Sequence, residues 1–114
     1  MVRRAAEYVP DRGDLIWLMF DPQARREQAG RRPALVLSPK AYNEKVGLAL
    51  LCPVTSHVKG YPFEVAIPAG RKIGGAVLSD HVKSLDWRIR QAQYADQAPP
   101  AVLAEVRRKL QMLI

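Results

Sequence analysis

Apolar residues gather in short runs, each stopped by glycine, proline or aspartate: Leu15-Ile-Trp-Leu-Met-Phe20, Ala34-Leu-Val-Leu37, the stretch from Leu48 to Val54, Phe63-Glu-Val-Ala-Ile67 and Gly75-Ala-Val-Leu78. Runs this short, with turn residues between them, have the length of strands. A sixth candidate, Ser84-Leu-Asp-Trp-Arg-Ile-Arg-Gln91, alternates Leu85, Trp87 and Ile89 with Asp86, Arg88 and Arg90. That is the period of two of a half-buried strand whose other, basic face meets solvent. After Pro99-Pro100 the period changes: Leu103, Val106, Leu110 and Leu113 follow helical spacing, with Arg107, Arg108 and Lys109 opposite and Glu105 one turn before Lys109. A shorter helix from Lys40 to Lys45 follows Pro39 and bridges two runs. The pattern predicts a small, mainly β barrel with one amphipathic C-terminal helix packed on it and a short helix between strands.

A chain of 114 residues has the length of one domain, 1–114, and can bury one core. Its formal charge of +7, from 18 Lys and Arg against 11 Asp and Glu, favours a polyanionic partner, either nucleic acid or an acidic protein. The lone Cys52 cannot form an internal disulfide and lies in an apolar run, where it reads as a small buried hydrophobe in a reducing compartment. Neither an apolar signal segment nor a membrane-length apolar run is present, which predicts a soluble, cytoplasmic protein.

Candidate chemistry is sparse. His57 and His81 invite an acid and base pair because histidine as a residue type suits proton transfer near neutral pH, but two histidines without a spacing motif are more often surface or structural groups. Cys52, His57 and His81 show none of the spacings of a zinc site, and no cofactor motif is present. Gly70-Arg-Lys-Ile-Gly-Gly75 lacks the strand and helix context of a phosphate cradle and reads as a turn between strands. The stronger feature is a constellation. Arg31 and Arg32 stand at a strand entrance, and Pro53-Val-Thr-Ser56 puts two hydroxyls where a long apolar strand ends. Arginine offers a permanent charge and a fork of donors suited to phosphate, and a hydroxyl adds neutral hydrogen bonds. From spacing alone two readings stay open: a phosphate site, or a strand-edge charge beside a turn.

Several segments carry a resemblance: Tyr8-Val-Pro-Asp-Arg-Gly-Asp-Leu-Ile-Trp17, Phe20-Asp-Pro22, Glu27-Gln-Ala-Gly-Arg-Arg-Pro-Ala-Leu-Val-Leu-Ser-Pro39, Lys59-Gly-Tyr-Pro-Phe-Glu-Val65 and Val82-Lys-Ser84 with Trp87-Arg88. In that order the chain resembles the MazF/PemK family of toxins. The resemblance implies an SH3-like, mostly antiparallel barrel with helices, of the architecture shared with the CcdB toxins. It also implies a homodimeric, metal-independent endoribonuclease acting on single-stranded RNA. Attack of the ribose 2′-hydroxyl on the neighbouring phosphate would leave a 2′,3′-cyclic phosphate and a 5′-hydroxyl, so DNA would not be cut. The implied partner is a MazE-like antitoxin whose acidic, disordered tail occupies the RNA groove.

Carried over by position, the resemblance makes Arg32 and Thr55 the catalytic pair, with Glu27 beside them, and places Gln28 in the loop over the RNA. Arg31, Ser56, His57, Asp80 and His81 fall among the RNA-contacting positions, where His81 and the Ser56-His57 pair depart from the common family residues. Arginine stays protonated near pH 7, so Arg32 suits electrostatic stabilisation better than proton abstraction. Glu27 is then the candidate acceptor of the 2′-hydroxyl proton, with His81 as competitor. Phe20, beside Asp21-Pro22 and a basic loop through Arg25 and Arg26, is the better base-stacking candidate, while Trp17 reads at least as readily as a core or interface residue as an RNA-stacking platform. Two other classes compete: a gyrase-binding toxin of the CcdB kind, which relies on a C-terminal tryptophan where this chain has tryptophans only at 17 and 87, and a nonenzymatic RNA-binding barrel.

Overall fold

A computed structural model of the protein describes residues 7–21 and 30–114. The three long apolar runs become the three central strands of one mostly antiparallel sheet: β1 (Asp14–Met19), β2 (Arg31–Val36) and β3 (Ala49–Thr55). These runs are apolar without alternation because both faces of the central strands are covered. Leu15, Leu35, Cys52 and Val54 point to one core. Ile16, Leu18, Ala34, Val36, Ala49 and Leu51 point to the other.

On the first face lie β4 (Glu64–Ala66), β5 (Ala76–Leu78) and the helix α2 (Pro100–Gln111), which buries Val102 and Val106. On the second lie the helix α1 (Lys40–Val46) and Trp87, whose indole N–H donates to the Asn43 carbonyl at 3.0 Å. Asn43 itself is fully buried, and its amide donates to the carbonyls of Pro10 and Ser38 while its oxygen accepts the Ser38 hydroxyl. A buried amide satisfied in this way holds α1 to the strands at no unpaired polar group.

The hydrogen-bonded strand order is β4-β5-β3-β2-β1-β7, with β6 (Lys83–Leu85) also on β3 and β7 spanning Gln93–Gln97. The expected mainly antiparallel architecture with a C-terminal and a short helix is therefore what forms, and the path runs from β4 to β7 without closing into a ring. One edge of β3 serves two partners: Ala49, Leu50 and Leu51 pair with β6, and Val54 and Thr55 pair with β5. Pro53, which has no N–H to give, falls between the two partners. β3 therefore changes partner toward its end, where Val54 is still buried in the core and Thr55 is half-buried.

Two expectations need correction. The sixth strand candidate stops at Leu85, because the Asp86 carboxylate accepts the N–H groups of Arg88 and Ile89 and turns the chain, and Gln91 adopts a φ of 54°. The alternation is lost there: Ile89 is 69% exposed, whereas Arg90 turns inward and donates to the carbonyls of Met19 and Phe20 at 3.1 and 2.6 Å. A strand absent from the sequence reading, β7, follows instead; it is polar because it is an edge with one neighbour, β1. On α2, Glu105 pairs with Arg108 rather than Lys109, through bonds of 2.7 and 2.9 Å that hold its carboxyl below the usual range and raise Arg108. The apolar stripe ends early as well, since Leu113 lies past the helix and is exposed.

Candidate active site

β2 and β3 run antiparallel with Ala34 opposite Pro53 and Leu35 opposite Cys52. Continued two residues toward the start of β2, this register sets Arg32 across from Thr55. The strand-entrance arginines and the strand-end hydroxyls, far apart in sequence, thus meet at one corner of the sheet. They line an open groove of about 500 Å³ with Trp17, Ser56, His57 and Lys72. No carboxylate is among its described lining residues, so Arg31, Arg32 and Lys72 concentrate positive charge where an anion can approach.

The two arginines differ. Arg31 donates to the Gln93 side chain on β7, which fixes its direction. Arg32 is exposed, and among the described residues its guanidinium has no hydrogen-bond or ion-pair partner. Thr55 is also set by a local contact: its hydroxyl oxygen accepts the His57 N–H at 3.0 Å. An oxygen used as acceptor still has its own proton to donate. The Thr55 backbone is held from the other side by Gly75, at a φ of +107°, where an added Cβ would come within 2.1 Å of the Thr55 carbonyl oxygen. The glycine-rich turn before β5 is therefore a turn, as its sequence indicates, and also a close-approach site that delivers Lys72 and Gly74 to the groove.

A second, wider groove of about 700 Å³ shares Thr55 and His57 with the first and continues past Lys59, Tyr61, Leu78 and His81. Asp80 lies behind its wall. One carboxylate oxygen accepts the Tyr61 hydroxyl at 2.5 Å, and the other stands 3.7 Å from His81 Nε2. The Asp80 hydrogen bond raises the Tyr61 phenol above its ordinary range. Cys52 is buried among apolar neighbours, its thiol pushed up to about 12 mainly by burial, which removes it from nucleophilic chemistry near neutral pH.

Of the residues singled out from the sequence, Trp17, Arg31, Arg32, Thr55, Ser56 and His57 meet in the cationic groove, and His81 lines the wider one with Asp80 behind it. Phe20 instead packs against the Trp87 core on the other face, so the aromatic beside the arginines is Trp17. Glu27 and Gln28 lie outside the described residues, as do Arg25 and Arg26. Lys59, Tyr61 and Lys72 were given no role by sequence reasoning; the basic pair Arg71-Lys72 inside a glycine-rich turn was the available signal for the last. Among the described residues no three His, Cys, Asp or Glu side chains converge as metal ligands.

Comparison with known proteins agrees with this geometry. Residues 11–114 match the family described as PemK-like, MazF-like toxin of type II toxin-antitoxin system. The endoribonuclease toxin MazF of Escherichia coli strain K12 is 49% identical over 109 residues, covering 96% of this chain and 97% of the relative. Among solved structures, a MazE-MazF crystal structure from Deinococcus radiodurans superposes with a TM-score of 0.85 at 57% identity, covering 94% of this chain and 96% of that one. MazF alone from the same organism gives 0.85 at 62% identity, covering 94% and 97%. By sequence along nearly its whole length and by the fold that carries the groove, this chain belongs to the PemK-like, MazF-like toxins of type II toxin–antitoxin systems.

Proposed function

We propose that the protein is an endoribonuclease toxin that cleaves single-stranded RNA and is inhibited by a MazE-like antitoxin. The observation that carries this reading is the meeting of Arg32, unpaired among the described residues, with the Thr55 hydroxyl in a groove whose described lining holds cations and no carboxylate. Family membership supports it, since the relatives similar over nearly the whole chain are endoribonucleases.

In the proposed reaction the ribose 2′-oxygen attacks the adjacent phosphorus, and the bond to the 5′-oxygen of the next nucleotide breaks. The products are a 2′,3′-cyclic phosphate and a 5′-hydroxyl, the leaving 5′-oxygen taking its proton from solvent in the open groove. Negative charge accumulates on the non-bridging oxygens, and Arg32 stabilises it with donors already in place. The Thr55 hydroxyl donates to one of these oxygens and holds the phosphate in line. Glu27 accepts the 2′-hydroxyl proton; His81 is less suited, because it lines the wider groove rather than the cationic one. Arg31, Ser56, His57 and Lys72 bind the flanking strand, and Gln28 covers it. Trp17, at the groove wall, takes the stacking role in preference to Phe20. A homodimer would join two such grooves for one extended strand, and an acidic antitoxin segment would compete for the same cations.

Incubation with a long single-stranded RNA in excess EDTA, followed by mapping of the new ends, tests the reading. Cyclic phosphate and 5′-hydroxyl ends are expected. Intact RNA, or cleavage only on adding metal, would overturn it and favour a non-cleaving binder.

A further inference from the structure

The loop that walls the wider groove is organised around one carboxylate. Glu64, the first residue of β4, accepts backbone N–H groups from three consecutive residues: Lys59 at 3.2 and 3.1 Å to its two oxygens, Gly60 at 2.9 Å and Tyr61 at 3.2 Å. Successive N–H groups aimed at one point form a nest for an anion, and here the chain fills the nest with its own side chain. Gly60 at a φ of +78° allows the turn. The far end of the loop is tied down too, by the Tyr61 hydroxyl on Asp80 at 2.5 Å. From behind, the Lys109 ammonium on α2 donates to the carbonyls of Pro62 and Glu64. Lys59, held at its backbone, and Tyr61, held at its backbone and its hydroxyl, line with Glu64 the groove that contains Thr55, His57 and His81.

An acidic residue in a groove for a polyanion is unfavourable on charge alone. Its retention of four backbone contacts points to a task in shaping the loop. We propose that Glu64 is a positioning residue for RNA recognition: by holding the nest of Lys59, Gly60 and Tyr61, it sets the wall on which a nucleotide beside the scissile phosphate is bound. The inference rests on the groove being the RNA groove. It makes Glu64 contribute to substrate binding through the loop, without touching the reacting atoms.

Electrostatics and positioning predict opposite signs, which makes the test decisive. Removing a negative charge near RNA should tighten binding if charge is all that matters; removing a loop organiser should weaken it. Cleavage kinetics on a single-site RNA oligonucleotide are measured for the wild type, Glu64→Ala and Glu64→Gln. Losing these charge-assisted bonds in Glu64→Ala should raise KM roughly tenfold, while kcat stays within about threefold because Arg32 and Thr55 are untouched. Glu64→Gln, whose amide oxygen still accepts, should fall between. Amide hydrogen exchange at Lys59, Gly60 and Tyr61 should accelerate in the same order without RNA present. A KM that is unchanged or lower in the variants overturns the proposal, as does exchange that stays slow. If Glu64→Ala does not fold, the sign of the KM change in Glu64→Gln decides alone. A wild type that leaves RNA intact refutes the functional reading instead, and the exchange rates still report on the loop.

Discussion

The two grooves meet at Thr55 and His57 yet are built on different principles. The narrower one gathers Arg31 and Arg32 from the start of β2 and Lys72 from the turn before β5, and leaves Arg32 without a partner among the described residues. The wider one has its loop tied down from within: Glu64 fills its nest and Asp80 accepts the Tyr61 hydroxyl. Unpaired charge attracts and stabilises an incoming phosphate, whereas a loop held by its own hydrogen bonds offers shape at small reorganisation cost. The proposed reaction thus assigns chemistry to the first groove and the proposed role of Glu64 assigns discrimination to the second, with Thr55 lining both.

Replacing Arg32 tests this division most severely. Arg32→Ala should lower cleavage roughly 100- to 1000-fold, about 3 to 4 kcal/mol, as for other preorganised donors, with circular dichroism and the unfolding midpoint unchanged. Next comes the shared element. Gly75→Ala puts a Cβ against the Thr55 carbonyl at a φ of +107°, and strain of this kind costs about 1 to 3 kcal/mol. Denaturant unfolding should show that loss, and cleavage should fall with it because Thr55 is displaced. Equal stability in this variant would mean that the turn does not hold Thr55.

Arg31→Ala should act on binding rather than on the chemical step. Its phosphate contact contributes roughly 0.7 to the salt slope for a single strand, so the dependence of RNA affinity on salt should flatten by about that amount while kcat is retained. A loss of kcat equal to that of Arg32→Ala would erase the distinction between the two arginines. The smallest effect belongs to the wider groove. The Asp80 carboxylate raises the Tyr61 phenol, so its neutral form is favoured and ionisation is delayed to higher pH. Asp80→Asn removes that charge and should bring the titration of one tyrosine, followed by ultraviolet absorbance, back to lower pH.

The central strands were readable because their environment is simple. A strand covered on both faces must be apolar throughout, and Leu15–Phe20, Ala34–Leu37 and Leu48–Val54 announce themselves. The edges were not readable by the same rule. β7 buries too little to carry an apolar pattern, and the alternation of Leu85, Trp87 and Ile89 imitates a strand although Asp86 turns the chain after Leu85. The site divides similarly. Arg31, Arg32, Thr55 and Ser56 were visible as residue types at strand ends, but Trp17 and Phe20 could be ranked only once the strand's two faces had been assigned to two cores.

The amino-acid sequence by itself settles the apolar strands, the amphipathic helix after Pro99-Pro100, the excess of positive charge and the family motifs, since each is written in neighbouring residues. The tertiary structure decides what depends on contacts between distant segments. It brings Arg32 and Thr55 into one groove through the antiparallel pairing of β2 and β3, brings Lys72 in on the Gly75 turn, and spends the Glu64 carboxylate on the Lys59 to Tyr61 loop. Strand register and loop closure are properties of the whole packed sheet, and a local pattern carries no information about which far segment will supply the partner.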